Sequence, residues 1–154
     1  MNSDKPRPRK RFGQNFLHDQ AIIQRIVDTI NPQSHDHIIE IGPGKGALTA
    51  PLLNHVEKLN VIEIDRDLAA ALRANFEGEL RVTIHETDAL TLDFNSFDHA
   101  DLRIVGNLPY NISTPMLFHL LAFRENIKDM TFMLQKELVD YVQIVEANNM
   151  VAYL

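Results

Sequence analysis

The feature that most constrains the fold is a short apolar run that leads directly into a glycine-rich turn. A strand is predicted over His37 to Ile41, and residues 42–46 (Gly-Pro-Gly-Lys-Gly) follow it without a break. Glycine tolerates positive φ and has no Cβ, so Gly42 and Gly44 let a ligand lie against bare backbone. A helical stretch with Leu52 and Leu53 comes next, which is typical of a unit in an α/β sheet.

Strands and helices alternate along most of the chain. After the first strand, the predicted strands are Leu59 to Ile64, Arg81 to Ile84, Leu102 to Val105 and Met130 to Leu134. Helices are predicted from Ala21 to Ile30, through Leu68 and Leu72, and from a Ser113 cap to Leu121 with Pro115 in the first turn. This order predicts a doubly wound, mostly parallel α/β sheet with a ligand site at the carboxyl ends of its strands. Residues 139–154 read as one helix.

Composition narrows the class of protein. The chain has 154 residues, 45% of them hydrophobic, which is enough for one globular domain. No apolar run approaches the ~18 residues of a membrane span and the N-terminus has no apolar signal core, so we predict a cytoplasmic protein. The absence of cysteine excludes thiolate metal sites and cysteine nucleophiles. The histidines lack a paired spacing with a third ligand, so no metal site is predicted.

Charge is distributed unevenly. Five basic residues and one acid give residues 1–11 a charge of +4, so residues 12–154 carry −10 of the total −6. Pro6 and Pro8 interrupt the basic stretch, which predicts a flexible basic arm over residues 1–11 that contacts a polyanion or is simply solvated. Residues 12–154 are predicted to form the folded domain.

Acidic side chains stand at the ends of two further strands. Glu63 ends the second strand, where a carboxylate can accept both hydroxyls of a ribose. Asp88 follows the third strand, where a carboxylate can accept from the amino group of an adenine. Each alone is typical of a helix cap or a solvated turn. Because parallel strands bring these ends together, the acids and the glycine turn jointly predict a pocket for an adenine nucleoside.

Two other interpretations of the glycine turn stay open. Gly42, Gly44 and Ala47 satisfy the pattern Gly-x-Gly-x-x-Ala, and Glu63 follows about 20 residues later, which also fits an NAD site. The second interpretation is a glycine turn that binds no ligand. A phosphate-binding P-loop is excluded because Lys45 is followed by glycine rather than by serine or threonine.

The segment Asn107-Leu108-Pro109-Tyr110, directly after the fourth strand, distinguishes between these cofactors. A dehydrogenase has no need for it, whereas a methyltransferase that acts on an exocyclic amino group does. The Asn107 oxygen and a backbone carbonyl near Leu108 can accept the amino protons, and Pro109 fixes the backbone that aims them. Tyr110 offers a face on which an extruded base can stack. The structural alternative is a proline turn with a packed tyrosine.

At these residues the sequence resembles the ribosomal RNA adenine dimethyltransferase family. The stretches that carry the resemblance are Arg9 to Leu17, Glu40 to Thr49, Val61 to Asp65, Asp88-Ala89, Asn107 to Tyr110 and Met133 to Glu137. The resemblance implies a Rossmann-like class I methyltransferase fold and S-adenosylmethionine as cofactor. It also implies dimethylation at N6 of two adjacent adenosines near the 3′ end of small-subunit rRNA in the 30S particle, during ribosome biogenesis. A large-subunit methyltransferase of the macrolide-resistance type and a non-catalytic ribosome-binding module are the alternatives.

The resemblance also assigns site residues. The cofactor-binding residues that it implies are Asn15, Leu17, Gly42, Glu63, Asp88 and Asn107, to which the glycine turn adds Gly44. Residues 12–17 would form a flap over the cofactor, and residues 107–110 would serve the target base. The family continues into a helical RNA-binding domain that this sequence lacks. We therefore expect a monomeric methyltransferase domain that is truncated after the fifth strand. It should bind the cofactor but methylate rRNA poorly or not at all.

Overall fold

A parallel β-sheet with helices on both faces forms the core of the molecule. The computed structural model describes residues 18–97, 100–133 and 150–153. The strands are β1 (Ile38–Ile41), β2 (Leu59–Glu63), β3 (Val82–Glu86), β4 (Leu102–Asn107), β5 (Ile127–Met133) and β6 (Met150–Tyr153). The helices are α1 (Gln20–Ile30), α2 (Thr49–Leu53), α3 (Arg66–Asn75) and α4 (Tyr110–Leu121), with short 3-10 helices at Phe94–Phe97 and Arg124–Asn126.

The strand order shows where a ligand site belongs. The sheet runs β3-β2-β1-β4-β5-β6, and all neighbouring strands are parallel. The chain therefore winds outward in one direction from β1 to β3, returns to the middle, and winds outward in the other direction from β4. The switch point lies between β1 and β4, where the connections diverge and leave a crevice at the carboxyl ends. The predicted doubly wound parallel sheet is confirmed.

Apolar side chains on the two faces of the sheet form two cores. Side chains alternate along a strand, so Ile38 of β1 points to one face while Ile39 and Ile41 point to the other. The first core joins the sheet to α4 and to Phe94; the second joins it to α1 and α2. Burial on both faces is the reason why the central strands are almost continuously apolar.

Aspartate caps begin two of the helices that cover the sheet. The Asp19 carboxylate accepts the Ala21 N–H (2.9 Å) at the start of α1. Asp65 accepts the N–H groups of Asp67 (2.9 Å) and Leu68 (3.1 Å) at the start of α3. Asp65 is therefore the N-cap of α3.

The start of α4 differs from the prediction. The helix begins at Tyr110, and its N-cap is Pro109 rather than Ser113. Pro109 accepts the Ile112 N–H (3.1 Å) through its carbonyl, and the Ser113 hydroxyl donates to the same oxygen (2.8 Å). Because the proline ring holds φ near a helix-compatible value, the chain turns into the helix one turn early. Pro115 consequently lies inside the helix and not in its first turn.

The predicted terminal helix is wrong where the structure describes it. Residues 150–153 form β6, which pairs in parallel with β5 from Met130↔Met150 to Met133↔Tyr153. The sheet therefore continues past the fifth strand. An open edge of β5 offers unpaired backbone groups, and the β-branched Val151 and aromatic Tyr153 favour extended backbone. Residues 139–149 of that predicted helix lie outside the described residues.

A buried arginine fastens the amino ends of the strands, opposite the crevice. Arg103 of β4 pairs with Asp36 (2.7 Å) and with Asp129 of β5 (3.0 Å), and it donates to the carbonyl of Ile30 at the end of α1. Burial acts to raise the pKa of Asp36, but the Gln33 N–H and the Arg103 guanidinium outweigh it and hold that pKa below its usual value. The network thereby fixes α1 to the sheet.

A glycine allows β1 and β4 to pair at the switch point. Gly106 lies opposite Ile41, and a Cβ at position 106 would come within 2.5 Å of the Ile41 carbonyl oxygen. No side chain can occupy that space unless the strands separate. Gly106 thus keeps the end of β4, including Asn107, close to the glycine turn.

Gly106→Ala is expected to destabilise the fold by about 1–3 kcal/mol, the usual cost of overpacking a closely packed interior. The measurement is urea denaturation followed by circular dichroism. Gly78→Ala is the control, because Gly78 has φ +79° but a methyl group added there would have nothing within 4 Å. Gly106 is not among the glycines with positive φ, so the contact with Ile41 is the expected cause of its loss. A loss in Gly106→Ala no larger than the loss in Gly78→Ala would show that this contact does not limit the side chain at position 106.

Candidate functional site

A cleft opens at the carboxyl ends of β1 and β4. Its volume is about 250 Å³, and the residues that line it are His18, Glu40, residues 42–48, Asn107 and Met133. It therefore brings together the glycine turn and Asn107, which the sequence predicted at successive strand ends. The cleft lies at the switch point of the sheet, where open α/β sheets bind their ligands.

The glycine turn presents bare backbone to the cleft. Gly42, Gly44 and Gly46 have φ of +66°, +57° and +86°, so the positive φ predicted for Gly42 and Gly44 is confirmed. The Gly42 N–H donates to the Ile62 carbonyl of β2 (2.9 Å). A Cβ at Gly42 would lie 3.4 Å from the Asn107 carbonyl oxygen, so the turn and the end of β4 are in close contact.

Glu63 ties the glycine turn to the end of β2. Its carboxylate is buried and accepts the Gly44 N–H (3.3 Å) through one oxygen and the Asp65 N–H (3.0 Å) through the other. Burial is the main cause that raises the pKa of Glu63 above its usual value, and the two N–H groups oppose it. The carboxyl group is held in a fixed orientation at the rim of the turn.

Asp88 lies one strand further along the same edge. The Thr87 N–H donates to the Glu63 carbonyl (3.2 Å), which places Asp88 beside the end of β2. The Asp88 side chain is half-buried and accepts the Leu90 N–H (2.9 Å). Glu63 and Asp88 are not among the described residues that line the cleft. They continue the site along the strand ends, away from the glycine turn.

Of the segment 107–110, Asn107 lines the cleft, whereas residues 108–110 are not among the described residues that line it. Asn107 is half-buried at the end of β4, opposite Met133 of β5. Leu108 donates its N–H to the Met133 carbonyl (3.2 Å) and packs its side chain into the core. Pro109 and Tyr110 then start α4. The segment is thus fastened to β5 at one end and to a helix at the other.

Glu40 is a site residue to which the sequence analysis assigned no role. It is 2% exposed and lines the cleft from β1. The Thr49 hydroxyl donates to Glu40 Oε1 (2.6 Å). Burial raises the pKa of Glu40 to about 7; the Thr49 hydrogen bond opposes this shift and the charge of Glu63 adds to it. The available signal was one acid inside the apolar strand Ile38–Ile41.

His18 and Met133 also border the cleft without having been predicted there. Met133 belongs to the predicted strand Met130 to Leu134; it is buried, and it also lines the cleft. His18 directly follows the predicted flap of residues 12–17. That flap, including Asn15 and Leu17, and the basic arm 1–11 lie outside the described residues.

The described part of the chain shows neither a metal cluster nor a membrane-spanning helix. Among these residues, no group of three histidine, aspartate or glutamate side chains is placed to hold a metal ion. No helix within the described ranges is long and apolar enough to cross a membrane.

Comparison with known proteins identifies relatives over most of the chain. The family model described as ribosomal RNA adenine dimethylase matches residues 6–149. The ribosomal RNA small subunit methyltransferase A of Acinetobacter baylyi is 57% identical over 136 residues, which are 87% of this chain and 50% of that protein. The chain therefore spans about half the length of the curated relatives that it matches.

Solved structures with the same fold include a dimethyladenosine transferase and an rRNA methyltransferase. A dimethyladenosine transferase from Plasmodium falciparum superposes with a TM-score of 0.71 at 30% identity, covering 82% of this chain and 45% of that one. The 23S rRNA methyltransferase ErmE superposes with a TM-score of 0.63 at 31% identity, covering 70% of this chain and 43% of that one. The expected class I methyltransferase fold is thus confirmed.

The raised pKa of Glu40 predicts how stability changes with pH. The folded state keeps a proton on Glu40 up to about pH 7, whereas the unfolded chain releases it near its ordinary value of 4.5. Stability from this group is therefore complete below that ordinary value and is lost as the pH rises through about 7. Glu40→Gln should remove this loss, which amounts to about 3 kcal/mol for a shift of this size.

The measurement is urea denaturation of both proteins between about pH 5 and pH 8. Glu79→Gln is the control, because Arg81 lowers the pKa of Glu79 to about 2 and its titration lies below this range. Parallel stability profiles for the wild type and Glu40→Gln would show that Glu40 does not carry the pH dependence.

Proposed function

Because the chain belongs to the ribosomal RNA adenine dimethylase family, we propose that it is the catalytic domain of an S-adenosylmethionine-dependent enzyme that dimethylates adenosines in small-subunit rRNA. The observation that carries the proposal is the contact between the glycine turn and the end of β4, where a Cβ at Gly42 would lie 3.4 Å from the Asn107 carbonyl oxygen. A cofactor bound on the turn and a base held by residues 107–110 would share one cleft.

The residues around the cleft fit an adenosine-bearing cofactor. Gly42 and Gly44 turn bare backbone toward the cleft with positive φ, so a ligand can approach without meeting a Cβ. Glu63 keeps carboxylate lone pairs beyond those used by the Gly44 and Asp65 N–H groups, and these can accept ribose hydroxyls. Asp88, next along the strand ends, can accept from the adenine amino group. Asn15 and Leu17, which belong to the predicted flap of residues 12–17, would cover the bound cofactor.

The other side of the cleft suits a flipped adenine. S-adenosylmethionine supplies an electrophilic methyl group when it is bound. Asn107 and a backbone carbonyl near Leu108 would accept the two protons of the target amino group and leave its lone pair pointing at the methyl carbon. Pro109 sets the direction of this segment, and Tyr110 would stack on the base. The protein needs no general base, because the amino nitrogen sheds a proton to solvent once it carries the new bond.

The comparisons support the small subunit as the target. Identity to the small-subunit enzyme of Acinetobacter baylyi is 57%, against 31% to the 23S rRNA methyltransferase ErmE. We accordingly infer that the partner is the 30S particle. We further propose that the protein acts in the cytoplasm as a monomer. Residues 1–11, with a charge of +4, would contact RNA phosphates.

Gly44→Val should abolish binding of S-adenosylmethionine and its demethylated product, because a branched side chain would occupy the cleft at a residue with φ +57°. Isothermal titration calorimetry measures the affinity. Gly78→Val is the matched control, since it imposes a similar backbone strain at φ +79° far from the cleft, and it should bind normally. Undiminished affinity in Gly44→Val, or preferential binding of NAD by the wild type, would remove the proposed cofactor site.

Asn107→Ala should slow methyl transfer roughly 100- to 1,000-fold while changing cofactor affinity much less, because the amide oxygen acts mainly in the transition state. The substitution is made in a protein that joins this domain to the C-terminal half of a relative. Single-turnover transfer of tritiated methyl groups to undermodified 30S particles measures the rate. Asn107→Asp, which keeps an acceptor oxygen, should retain more activity than Asn107→Ala. A near-normal rate in Asn107→Ala would favour a structural role and a non-catalytic module.

A further inference from the structure

A histidine on α4 contacts the segment that contains Asp88. His119 Nε2 lies 2.8 Å from the carbonyl oxygen of Leu92. We call residues 88–92 the Asp88 turn. A carbonyl oxygen can only accept, so this geometry assigns the ring proton to Nε2. His119 thus donates a hydrogen bond from the helix to the last residue of the Asp88 turn.

The Asp88 turn is held together by its own hydrogen bonds. Asp88 accepts the Leu90 N–H through its carboxylate (2.9 Å) and the Thr91 N–H through its carbonyl (3.1 Å). The Thr91 hydroxyl donates to the same carbonyl (3.1 Å). The Leu92 N–H donates to the Ala89 carbonyl (3.4 Å). Because Leu92 is tied in this way to the residue next to Asp88, we expect a displacement of Leu92 to shift the Asp88 carboxylate as well.

The opposite end of α4 carries the segment that faces the target base. The helix starts at Tyr110, directly after residues 107–109, and His119 is nine residues further along, about 13 Å at the usual helical rise. Pro115 removes one backbone hydrogen bond between these two positions, but the helix is continuous from Tyr110 to Leu121. The His119 hydrogen bond therefore links the residues beside the target base to the Asp88 turn, although no strand pairing joins β4 to β3.

Aromatic rings fix the direction of the imidazole. The Phe94 ring centroid lies 6.0 Å from that of His119 at an interplanar angle of 62°, and the Phe123 centroid lies 5.2 Å away at 71°. Both contacts are edge-to-face arrangements, which aromatic pairs favour. With the ring held in this way, Nε2 stays directed at Leu92.

We propose that His119 is a positioning residue that sets the distance between the adenine side of the cofactor site and the segment that receives the target base. The inference rests on the proposed function, because it assigns Asp88 to the adenine of the cofactor. His119 touches neither ligand in this arrangement and acts through the Leu92 carbonyl. Loss of the donor would leave that carbonyl without its partner and allow the Asp88 turn to move away from the helix.

The test compares two substitutions that separate the donor from the ring. His119→Phe keeps an aromatic ring between Phe94 and Phe123 but removes the donor, and His119→Gln restores an N–H of similar reach. In the 154-residue chain, His119→Phe should weaken binding of S-adenosylhomocysteine about five- to tenfold, because the released Asp88 turn would have to be reordered when the ligand binds, and His119→Gln should recover most of it. Calorimetry measures the affinity.

A second measurement needs no ligand. Hydrogen exchange at the Leu90 amide, which Asp88 protects, should be faster in His119→Phe than in the wild type and in His119→Gln. Phe97→Leu is the control: Phe97 packs on Phe94 in the same aromatic cluster but makes no hydrogen bond to Leu92, so it should lower the melting temperature without these effects. If His119→Phe fails to fold, His119→Asn, whose amide is too short to reach Leu92, takes its place.

The outcomes separate this inference from the proposed function. Wild-type affinity and exchange in His119→Phe, equal losses in Phe97→Leu, or no recovery in His119→Gln would overturn the positioning role. Failure of the wild type to bind S-adenosylhomocysteine would instead overturn the proposed function, and the exchange of the Leu90 amide would still decide whether His119 holds the Asp88 turn.

Discussion

The close pairing of β1 with β4 determines where the rest of the site lies. At Gly106 the two backbones approach so closely that a Cβ would come within 2.5 Å of the Ile41 carbonyl oxygen. The chain leaves β1 toward α2 and leaves β4 toward α4, so the connections diverge directly above this contact and the cleft opens between them. The glycine turn and Asn107 face each other because they are the first residues beyond that pairing.

Two buried acids hold the glycine turn in place from neighbouring strands. Glu63 accepts the Gly44 N–H from the end of β2, and Glu40 accepts the Thr49 hydroxyl at the start of α2. Burial raises the pKa of both carboxyl groups, because moving a charged carboxylate from water into the interior costs free energy. Part of the folding free energy offsets this cost. The turn is thereby ordered before any ligand arrives, which reduces the entropy lost on binding.

The two ends of the sheet carry different kinds of polar groups. At the amino ends, Arg103 joins α1, β4 and β5 through Asp36, Asp129 and the carbonyl of Ile30. At the carboxyl ends, the strands finish in glycine, carboxylate and amide groups with room between them. Because the amino ends hold the strands together, the side chains at the carboxyl ends are not needed for that purpose. The His119 hydrogen bond to Leu92 additionally holds the Asp88 turn against α4.

Local patterns in the sequence were enough to predict the doubly wound sheet, the positive φ of Gly42 and Gly44, and the grouping of acids at strand ends, because hydrophobic period and glycine geometry act over a few residues. Other features were decided only by the tertiary structure. Residues 150–153 pair with β5, although a helix was predicted for residues 139–154, and Pro109 displaces Ser113 as the cap of α4. The partners Arg103 and Asp36 lie 67 residues apart, and Glu40 acquires its raised pKa from burial under elements that follow it. Such contacts depend on which segments meet in space, and no local pattern encodes that.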